Sequence, residues 1–452
     1  MSKVYLIGIG GIGMSALARY YNSCGYYVAG YDKTESKLTD ELVKEGIKIT
    51  YIDSLETIPL EIKSSLENTL IIYTPAIPKE SVQLNYFIDN NYKIIKRSQA
   101  LGYIAQNKTT LAVAGTHGKT TTSTILAYIF NYSTKKATSF LGGISKNFNS
   151  NLVVDNGEYL VAEADEYDRS FLQLFPKIAA VTSTDSDHLD IYQDSKTMIK
   201  SFCDFVSQIQ IDGAAILHLD TDPELKKHAK SRVYSYSYSR ESDFYGKNHI
   251  KKNDGRIIFD LVHPNGKIKD CQLGIGGEIN TENAIAAAAI AITAGVDHNQ
   301  IKEALLNFKG VERRFDIRVN SDKVVYIDDY AHHPNELKAA IRSIRDLFPN
   351  KKLTGIFQPH LYSRTKDFYK EFAQALDSLD YTILMDIYPA REKPIEGVSS
   401  KLILDNMLNN NKLLISKENL IDYIKNNEFE VLITFGAGDI DRFVPIIEEY
   451  LK

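Results

Sequence analysis

Length, composition and charge limit the classes to which this protein can belong. Its 452 residues correspond to about three domains at roughly 150 residues each. With 44% hydrophobic and 25% charged residues the chain resembles soluble globular proteins, which excludes disordered, collagen-like and disulfide-scaffold classes. A net charge of −5 provides no basic field for nucleic acid or an anionic membrane. We therefore expect neither as a partner, and any phosphate ligand must be held by local sites.

Cysteine spacing and the start of the chain indicate a reducing compartment. Cys24, Cys203 and Cys271 lie far apart, without the spacing of zinc ligands or of a disulfide framework. Apolar runs are short, and residues 1–13 enter a glycine loop too early for a signal peptide. We expect reduced thiols, no membrane insertion and a cytoplasmic location.

The first part of the chain alternates strands and helices. Strands are predicted at 4–7, 26–31 and 69–73, and a helix at 14–24. This order is typical of a parallel sheet with crossover helices.

A glycine loop connects the first strand to the first helix. Gly8, Gly10 and Gly13 have the dinucleotide-binding spacing, and Asp32 ends the next strand at the expected distance. Glycines there let backbone N–H groups approach a diphosphate at a helix N-terminus. The pattern fits a nicotinamide dinucleotide or a nucleotide diphosphate sugar, and a turn without ligand is the remaining alternative.

A second phosphate loop follows the strand predicted at 110–114 and precedes a helix that runs to Phe130. The loop consists of Gly115, Thr116, His117, Gly118, Lys119, Thr120 and Thr121. In such loops the lysine contacts the β- and γ-phosphates and the hydroxyl after it binds Mg²⁺. Val113 stands where the usual first glycine would be, so the loop is a shortened variant. A structural turn is the alternative.

Polar residues at nearby strand ends support a nucleotide site. Glu163 and Asp165 follow the strand predicted at 159–163, and His188 lies beyond the strand predicted at 178–183. Ligands collect at the carboxyl ends of parallel strands in open α/β sheets. Each of these residues alone would be read as a surface or helix-capping residue. Together with a phosphate loop they predict a nucleotide and metal site.

The rest of the middle part predicts a further strand, a hairpin and an alanine-rich helix. A strand is predicted at 214–219, and the polar alternation 233–239, with 256–263, predicts an antiparallel hairpin. The alanine-rich run 283–294, closed by Gly295, predicts a helix.

The α/β pattern restarts after Gly310. Strands are predicted at 324–328, 353–357, 381–385 and 431–435, with helices between them. Arg313 and Arg314 open this part of the chain, and polar residues again follow its strands: Asp328, Asp329, Tyr330, His332, His333, His360 and Arg364. Zinc is disfavoured because adjacent histidines point apart and no thiol is near. Cations and hydrogen-bond donors of this kind suit a small carboxylated substrate.

The predicted fold is therefore α/β with three domains. We expect a Rossmann-like domain at 1–107, a P-loop ATPase-like domain at 108–310 and a doubly wound α/β domain at 311–452.

Eight stretches in chain order resemble the Mur ligases, the ATP-dependent ligases of bacterial peptidoglycan synthesis. They are 8–15 (GIGGIGMS), 115–122 (GTHGKTTT), 163–171 (EADEYDRSF), 187–192 (DHLDIY), 313–315 (RRF), 328–334 (DDYAHHP), 357–365 (FQPHLYSRT) and 386–392 (DIYPARE). The second and fourth are shared across the family. The first, seventh and eighth point to its alanine-adding branch.

The resemblance implies an activity. ATP would phosphorylate the lactyl carboxylate of UDP-N-acetylmuramate, and the amine of L-alanine would attack the acyl phosphate. ATP and Mg²⁺ would be required, and the protein would be a monomer or a weak homodimer. The reaction belongs to cell wall biogenesis, and through it to cell shape and cell division.

The resemblance also assigns roles to residues. The UDP-sugar would contact Gly8, Gly10, Gly11, Ile12, Gly13, Asp32, Thr74, Ala76 and Ile77. ATP would bind the seven residues 115–121 together with Asn280, Asn283, Arg314 and Asp328. Metal ligands would be Thr120, Glu163 and His188, and the amino acid would contact Tyr330, His332, His360 and Arg364. Catalysis would rest on Lys119, Glu163, His188, Arg314 and His332, the last as candidate base for the amine.

Other functions share part of this pattern. A recycling ligase that joins a tripeptide to the same UDP-sugar would use the same ATP machinery. A nicotinamide-dependent oxidoreductase would use only the first glycine loop, and a non-enzymatic nucleotide-binding regulator would catalyse nothing. Some family members carry a carbamylated lysine, but the equivalent stretch 201–203 contains none, so no carbamylation is predicted.

Overall fold

The computed structural model describes residues 2–185, 192, 194–252, 254–390 and 392–452. The chain divides into two compact units. The first comprises Met1–Ile250, Ile258–Gly274 and Asn280–Lys309, and the second comprises Lys251–Ile257, Ile275–Ile279 and Gly310–Lys452.

The first unit begins with a parallel five-stranded sheet of order β3-β2-β1-β4-β5. Its strands are β1 (Lys3–Ile7), β2 (Tyr27–Tyr31), β3 (Lys48–Thr50), β4 (Thr69–Tyr73) and β5 (Lys93–Lys96). Its helices are α1 (Ile12–Ser23), α2 (Lys37–Lys44), α3 (Leu60–Lys63), α4 (Val82–Asp89) and α5 (Arg97–Ala105). Apolar residues from both faces of β1 are buried, as expected for a parallel strand covered on both sides.

A ten-stranded sheet follows in the same unit, of order β15-β14-β13-β12-β11-β10-β6-β9-β7-β8. Its strands are β6 (Thr109–Ala114), β7 (Ala137–Ser145), β8 (Ser150–Val153), β9 (Tyr159–Glu163), β10 (Ile178–Val181), β11 (Ala214–His218), β12 (Arg232–Ser237), β13 (Phe244–Lys251), β14 (Ile257–His263) and β15 (Gly266–Gln272). The helices are α6 (Lys119–Tyr132), α7 (Ser195–Ser207), α8 (Glu224–His228), α9 (Glu278–Thr293) and α10 (His298–Asn307).

The predicted hairpin between 233–239 and 256–263 is wrong. β12 pairs in parallel with β11, and β14 forms its antiparallel hairpin with β15. The alternation correctly indicated strands, but a period of two reveals faces and not the pairing partner. The alanine-rich helix α9 also begins at Glu278, earlier than predicted, so that it includes Asn280.

The second unit holds a six-stranded sheet of order β16-β17-β21-β18-β19-β20, in which only β16 is paired antiparallel among the described strands. The strands are β16 (Asp316–Asn320), β17 (Val325–Asp329), β18 (Leu353–Phe357), β19 (Tyr381–Met385), β20 (Lys412–Ile415) and β21 (Val431–Phe435). The helices are α11 (Pro334–Leu347), α12 (Tyr362–Leu376), α13 (Ser400–Asn406), α14 (Lys417–Lys425) and α15 (Val444–Leu451).

The predicted α/β class is confirmed by these sheets. β6 lies between β9 and β10, and all three run in parallel, so their carboxyl ends share one edge. None of the helices in the described part of the chain combines the length and apolar character needed to cross a membrane.

Candidate functional site

The second phosphate loop takes a conformation that its glycines permit. Gly115 has φ +128° and Gly118 has φ +80°, values that side chains disfavour. A Cβ on Gly115 would lie 2.2 Å from Oγ1 of Thr182, and one on Gly118 would lie 2.7 Å from Oδ1 of Asn283. Gly118 then caps α6, so the loop opens onto a helix N-terminus, which favours a phosphate.

Lys119 is surrounded by oxygen atoms. Its Nζ donates to the carbonyl oxygen of Gly115 at 2.6 Å and lies 2.8 Å from Oε2 of Glu166, whose side chain is fully buried. Burial alone would lower the pKa of Lys119, but Glu166, Asp165 and Glu163 raise it above its ordinary value. The lysine is therefore held cationic where phosphate oxygens are expected.

Glu163 ends β9 beside the phosphate loop. Its Oε2 is buried and has no hydrogen-bond partner among the residues that the structure describes. Gly142 of β7 provides the room for this carboxylate, because a Cβ there would lie 2.1 Å from Oε2. An unpartnered buried carboxylate oxygen, close enough to Lys119 to raise the pKa of that lysine, fits a hard cation such as Mg²⁺. His188, the third predicted ligand, lies outside the described residues.

Asn283 is brought to the phosphate loop from 161 residues away in the chain. Oγ1 of Thr122 donates to its Oδ1 at 3.2 Å. Asn280 precedes it by one turn on α9, and both side chains are largely buried. The two asparagines assigned to ATP thus lie on the helix that packs against this loop.

Two residues that hold the loop were not predicted. Ser183 Oγ lies 2.6 Å from Oγ1 of Thr116 and accepts the N–H of His117 at 2.9 Å. Thr182 donates to the carbonyl of Ala114 at 3.1 Å. The sequence predicts both inside a strand at 178–183, but β10 ends at Val181. Two adjacent hydroxyl side chains at the end of the strand next to the phosphate loop are the feature of the sequence that could have indicated this role.

The first glycine loop is packed against two of its predicted neighbours. Gly8 has φ +86°, and a Cβ there would lie 2.6 Å from Cγ2 of Thr74 and 3.3 Å from Cδ1 of Ile77. Oδ2 of Asp32 accepts the N–H of Gly10 at 2.8 Å. Asp32 therefore stabilises the loop itself, while Ala76 is exposed at the rim.

Arg97 was not predicted and lies over this loop. A Cβ on Gly13 would come within 2.8 Å of its Nη1, and its Nη2 forms an ion pair with Asp165 at 3.3 Å. The neighbouring Lys96 pairs with Asp168 at 2.9 Å. A guanidinium thus lies between the first glycine loop and the carboxylates that follow β9.

In the second unit Asp328 is satisfied within the protein. It is fully buried, and its oxygens accept Nε–H of Arg313 at 3.1 Å and the hydroxyl of Thr434 at 2.7 Å. Burial raises its pKa against the opposing effect of Arg313. Asp329 accepts the N–H groups of Phe315 and Ala331, both at 2.7 Å. Burial raises the pKa of Asp329 to about 6, although Arg314 opposes the shift.

Tyr330 lies against both arginines of the RRF stretch. The guanidinium carbons of Arg313 and Arg314 are 5.3 and 4.8 Å from its ring centroid, within cation–π range. The His332 ring lies 5.3 Å from Tyr330 and 6.1 Å from His360, centroid to centroid. Three of the four residues assigned to the amino acid are therefore adjacent.

Arg364 lies in the first turn of α12, directly after the His360 segment. This helix is capped by a motif residue from far along the chain, since Glu392 accepts the N–H and the hydroxyl of Ser363 at 3.0 and 2.5 Å. The DIYPARE stretch thus supports the helix that carries Arg364.

Three family models match consecutive parts of the chain. They are described as "Mur ligase family, catalytic domain" at residues 3–109, "Mur ligase middle domain" at 113–291 and "Mur ligase, glutamate ligase domain" at 313–438. The chain belongs to the Mur ligase family. The resemblance inferred from sequence motifs is confirmed.

Individual Mur ligases are similar over the whole chain. A UDP-N-acetylmuramate–L-alanine ligase of Phocaeicola vulgatus is 49% identical, covering 99% of this chain and 97% of the relative. One of Porphyromonas gingivalis is 47% identical, covering 100% and 99%. The crystal structure of UDP-N-acetylmuramate-alanine ligase from Thermotoga maritima superimposes with a TM-score of 0.84 at 26% identity, covering 99% of both chains.

Membership in the Mur ligase family agrees with the geometry of the first unit. Mur ligases are ATP-dependent, and the loop around Lys119 presents a cation, a helix N-terminus and carboxylates to a nucleotide. The nicotinamide-dependent oxidoreductase is therefore discarded, since it leaves this loop without a role.

Proposed function

We propose that the protein is an ADP-forming ligase that joins L-alanine to the lactyl carboxylate of UDP-N-acetylmuramate in peptidoglycan precursor synthesis. The observation that carries the proposal is the presence of two phosphate loops in one compact unit, with Arg97 and the Glu163–Glu166 carboxylates between them. A ligase that activates a nucleotide-linked carboxylate with ATP needs both. The two alanine ligases that are 47% and 49% identical along nearly the whole chain support the choice of substrate.

We assign the UDP-sugar to residues 1–107, ATP to 108–310 and the amino acid to 311–452. The diphosphate would bind Gly8, Gly10, Gly11, Ile12 and Gly13, with the uridine near Asp32 and Thr74 to Ile77. Gly11 caps α1 without a side-chain hydrogen bond, so the N–H groups of the first turn are suited to an anion.

We assign ATP to the loop 115–121 together with Asn280 and Asn283. Arg314 and Asp328 are also assigned to ATP. Mg²⁺ would be held by Thr120, Glu163 and His188. When bound, it would neutralise phosphate oxygens that otherwise repel the incoming carboxylate. Lys119 supplies the remaining positive charge, moving from Glu166 toward the γ-phosphate.

The chemistry has two stages. The lactyl carboxylate attacks the γ-phosphorus of ATP, and ADP leaves. The amine of L-alanine then attacks the acyl carbon, the tetrahedral intermediate expels phosphate, and one amine proton must be removed. Lys119 stabilises the charge that develops on the transferred phosphoryl group.

His332 is the proposed base for this proton. Its Nδ1 lies 3.1 Å from the carbonyl oxygen of Tyr330, which can only accept, and 3.3 Å from Oε2 of Glu336. Nδ1 therefore carries the hydrogen, and Nε2 is the basic atom. The neighbouring Tyr330, His360 and Arg364 would contact the amino acid.

One assay tests the proposal. Phosphate release from ATP should require both UDP-N-acetylmuramate and L-alanine, with Mg²⁺ present. Release that needs the tripeptide instead would identify the recycling ligase. Release without any amino acid, or none under any of these conditions, would refute the proposal.

A further inference from the structure

Asn151 is a buried amide at the edge of the ten-stranded sheet. It lies on β8, and its side chain has no exposed surface. α1, the helix that follows the first glycine loop, packs on β7 and β8. Asn151 therefore connects the middle part of the chain to the helix of the diphosphate loop.

The amide of Asn151 binds the first turn of α1. Its Nδ2 donates to the carbonyl oxygen of Ile12 at 2.6 Å and to Oγ of Ser15 at 2.9 Å. Ser15 itself donates to the Ile12 carbonyl at 2.9 Å. Both amide hydrogens are thus used on the residues that directly follow the glycine loop.

Arg19 determines which way the amide points. Its Nη1 donates to Oδ1 of Asn151 at 2.5 Å, and its other nitrogens bind Glu45 at 2.9 Å and Glu41 at 3.1 Å. A guanidinium can only donate, so Oδ1 must face Arg19 and Nδ2 must face the loop. The arginine is 8% exposed, and its two carboxylates hold it in place.

The same hairpin borders the carboxylate assigned to Mg²⁺. The β7–β8 register shifts between Phe140 and Ser145, so the pairing is interrupted opposite Asn151. Gly142 lies in this interruption and faces Glu163, which a Cβ would approach to 2.1 Å. The β-bulge in β7 thus contacts Glu163, and its partner strand β8 carries Asn151, which binds the helix after the diphosphate loop.

We propose that Asn151 is a positioning residue. By holding α1, it fixes the position of the diphosphate loop so that the lactyl carboxylate of the bound UDP-sugar can reach the γ-phosphate of ATP. The inference rests on the proposed function. It predicts that disturbing Asn151 weakens productive binding of the UDP-sugar while ATP binding is unchanged, since the hydrogen bonds of its side chain go to Ile12, Ser15 and Arg19 of α1. A displacement of about 1 Å between reacting groups can lower a rate by about 10²-fold.

Asn151→Asp is the sharpest test because it conserves shape and replaces the donor by an acceptor. Arg19 keeps the new carboxylate ionised and in place, so it would repel the Ile12 carbonyl. We expect KM for UDP-N-acetylmuramate to rise about tenfold and kcat to fall, with less than about twofold change in KM for ATP and for L-alanine. Tenfold corresponds to about 1.4 kcal/mol.

Two further variants keep the test decisive. Ser15→Ala removes one hydrogen bond of the same contact and should raise KM for the UDP-sugar about two- to threefold. Tyr20→Leu removes the packing of Tyr20 on Phe140, whose rings are 5.5 Å apart on the same α1 interface, without touching the loop. It should lower the melting temperature and leave all KM values unchanged.

The outcomes separate this inference from the proposed function. Wild-type protein without UDP-N-acetylmuramate-dependent phosphate release would refute the function. An active wild type whose Asn151→Asp and Ser15→Ala variants keep normal KM for the UDP-sugar would refute only the positioning role. The positioning role would also be refuted if KM for ATP rose in parallel, or if Tyr20→Leu reproduced the same change.

Discussion

The Nζ of Lys119 lies 2.8 Å from Oε2 and 2.9 Å from Oε1 of Glu166, a carboxylate with no exposed surface. The phosphate-loop lysine thus has a buried acidic partner within the protein. A γ-phosphate must compete with this carboxylate for the lysine, and the buried negative charge keeps the lysine protonated throughout. Glu166 also anchors Tyr192, whose hydroxyl donates to its carbonyl at 2.5 Å.

Removing the lysine should impair catalysis and stability together. In Lys119→Ala we expect kcat for phosphate release to fall about 10²–10³-fold, as for the loss of one preorganised donor. Glu166 would remain buried without its cation, at a cost of about 3–5 kcal/mol in the free energy of unfolding. Urea unfolding and phosphate release measure the two effects.

The double variant Lys119→Ala/Glu166→Gln separates these effects. It should recover most of the lost stability, because no uncompensated charge remains buried, yet stay as slow as the single variant. Near-normal turnover in Lys119→Ala would contradict the role of the loop, and wild-type stability would contradict the energetic role of the pair.

A methyl group at Gly142 should weaken the binding of Mg²⁺. Gly142→Ala would place Cβ at 2.1 Å from Oε2 of Glu163, so the carboxylate must move. We expect the Mg²⁺ concentration for half-maximal phosphate release to rise at least about tenfold. Glu163→Gln should shift it in the same direction, and an unchanged Mg²⁺ dependence in both variants would remove Glu163 from the metal site.

Two glycines with nearly the same positive φ angle allow a matched test of the first loop. Gly8 has φ +86° and Gly46 has φ +89°, so alanine is strained at either position by about 1–2 kcal/mol. Only at Gly8 would the new Cβ meet a neighbour, Thr74 at 2.6 Å, because Gly46 has nothing within 4 Å. Gly8→Ala should raise KM for the UDP-sugar about tenfold, while Gly46→Ala leaves it unchanged. Equal KM values in the two variants would contradict the assignment.

The raised pKa of Asp329 predicts a specific pH dependence of stability. Between the ordinary pKa of 3.8 and the folded value of about 6, the folded state holds a proton that the unfolded state has released. The contribution of Asp329 to stability therefore falls as pH rises through this window, by up to about 3 kcal/mol.

Asp329→Asn should remove this slope. Its amide disturbs the N–H groups of Phe315 and Ala331 at every pH, which adds a constant cost but no slope. The unfolding free energy of the variant minus that of wild type should thus increase from pH 4 to pH 6.5 in urea titrations. A difference that is independent of pH would show that the pKa of Asp329 is not raised.

The role of His332 can be read from a pH–rate profile. If its Nε2 accepts the amine proton, kcat of wild type should fall as His332 becomes protonated on the acidic side. His332→Gln should be slower by about 10²-fold or more and should lack that acidic limb. An unchanged rate in the variant would exclude His332 as the base.

Local pattern alone was sufficient for much of the fold. The strands predicted at 159–163, 353–357, 381–385 and 431–435 have the same bounds in the structure, because buried parallel strands are short apolar runs with polar residues at their ends. The glycine spacing of both loops was likewise informative, since positive φ angles and close backbone approach leave few other residues possible.

Contacts between distant segments could not be predicted in this way. Glu166, Ser183 and Arg97 reach the two loops because β6 lies between β9 and β10 and because α5 packs near residues 167–173. Asn151 and Gly142 gain their importance only from the bulged hairpin that places them between α1 and Glu163. The hairpin predicted between β12 and β14 failed for the same reason, since alternation does not encode the partner strand.

The sequence by itself therefore determined the family, the two phosphate loops and the positions of the buried strands, because these depend on the conformations that a few neighbouring residues allow. The tertiary structure decided which side chains support those loops: the buried partner of Lys119, the room for Glu163 and the amide that holds α1. These depend on pairing and packing between segments up to 161 residues apart, which have no signature in local sequence.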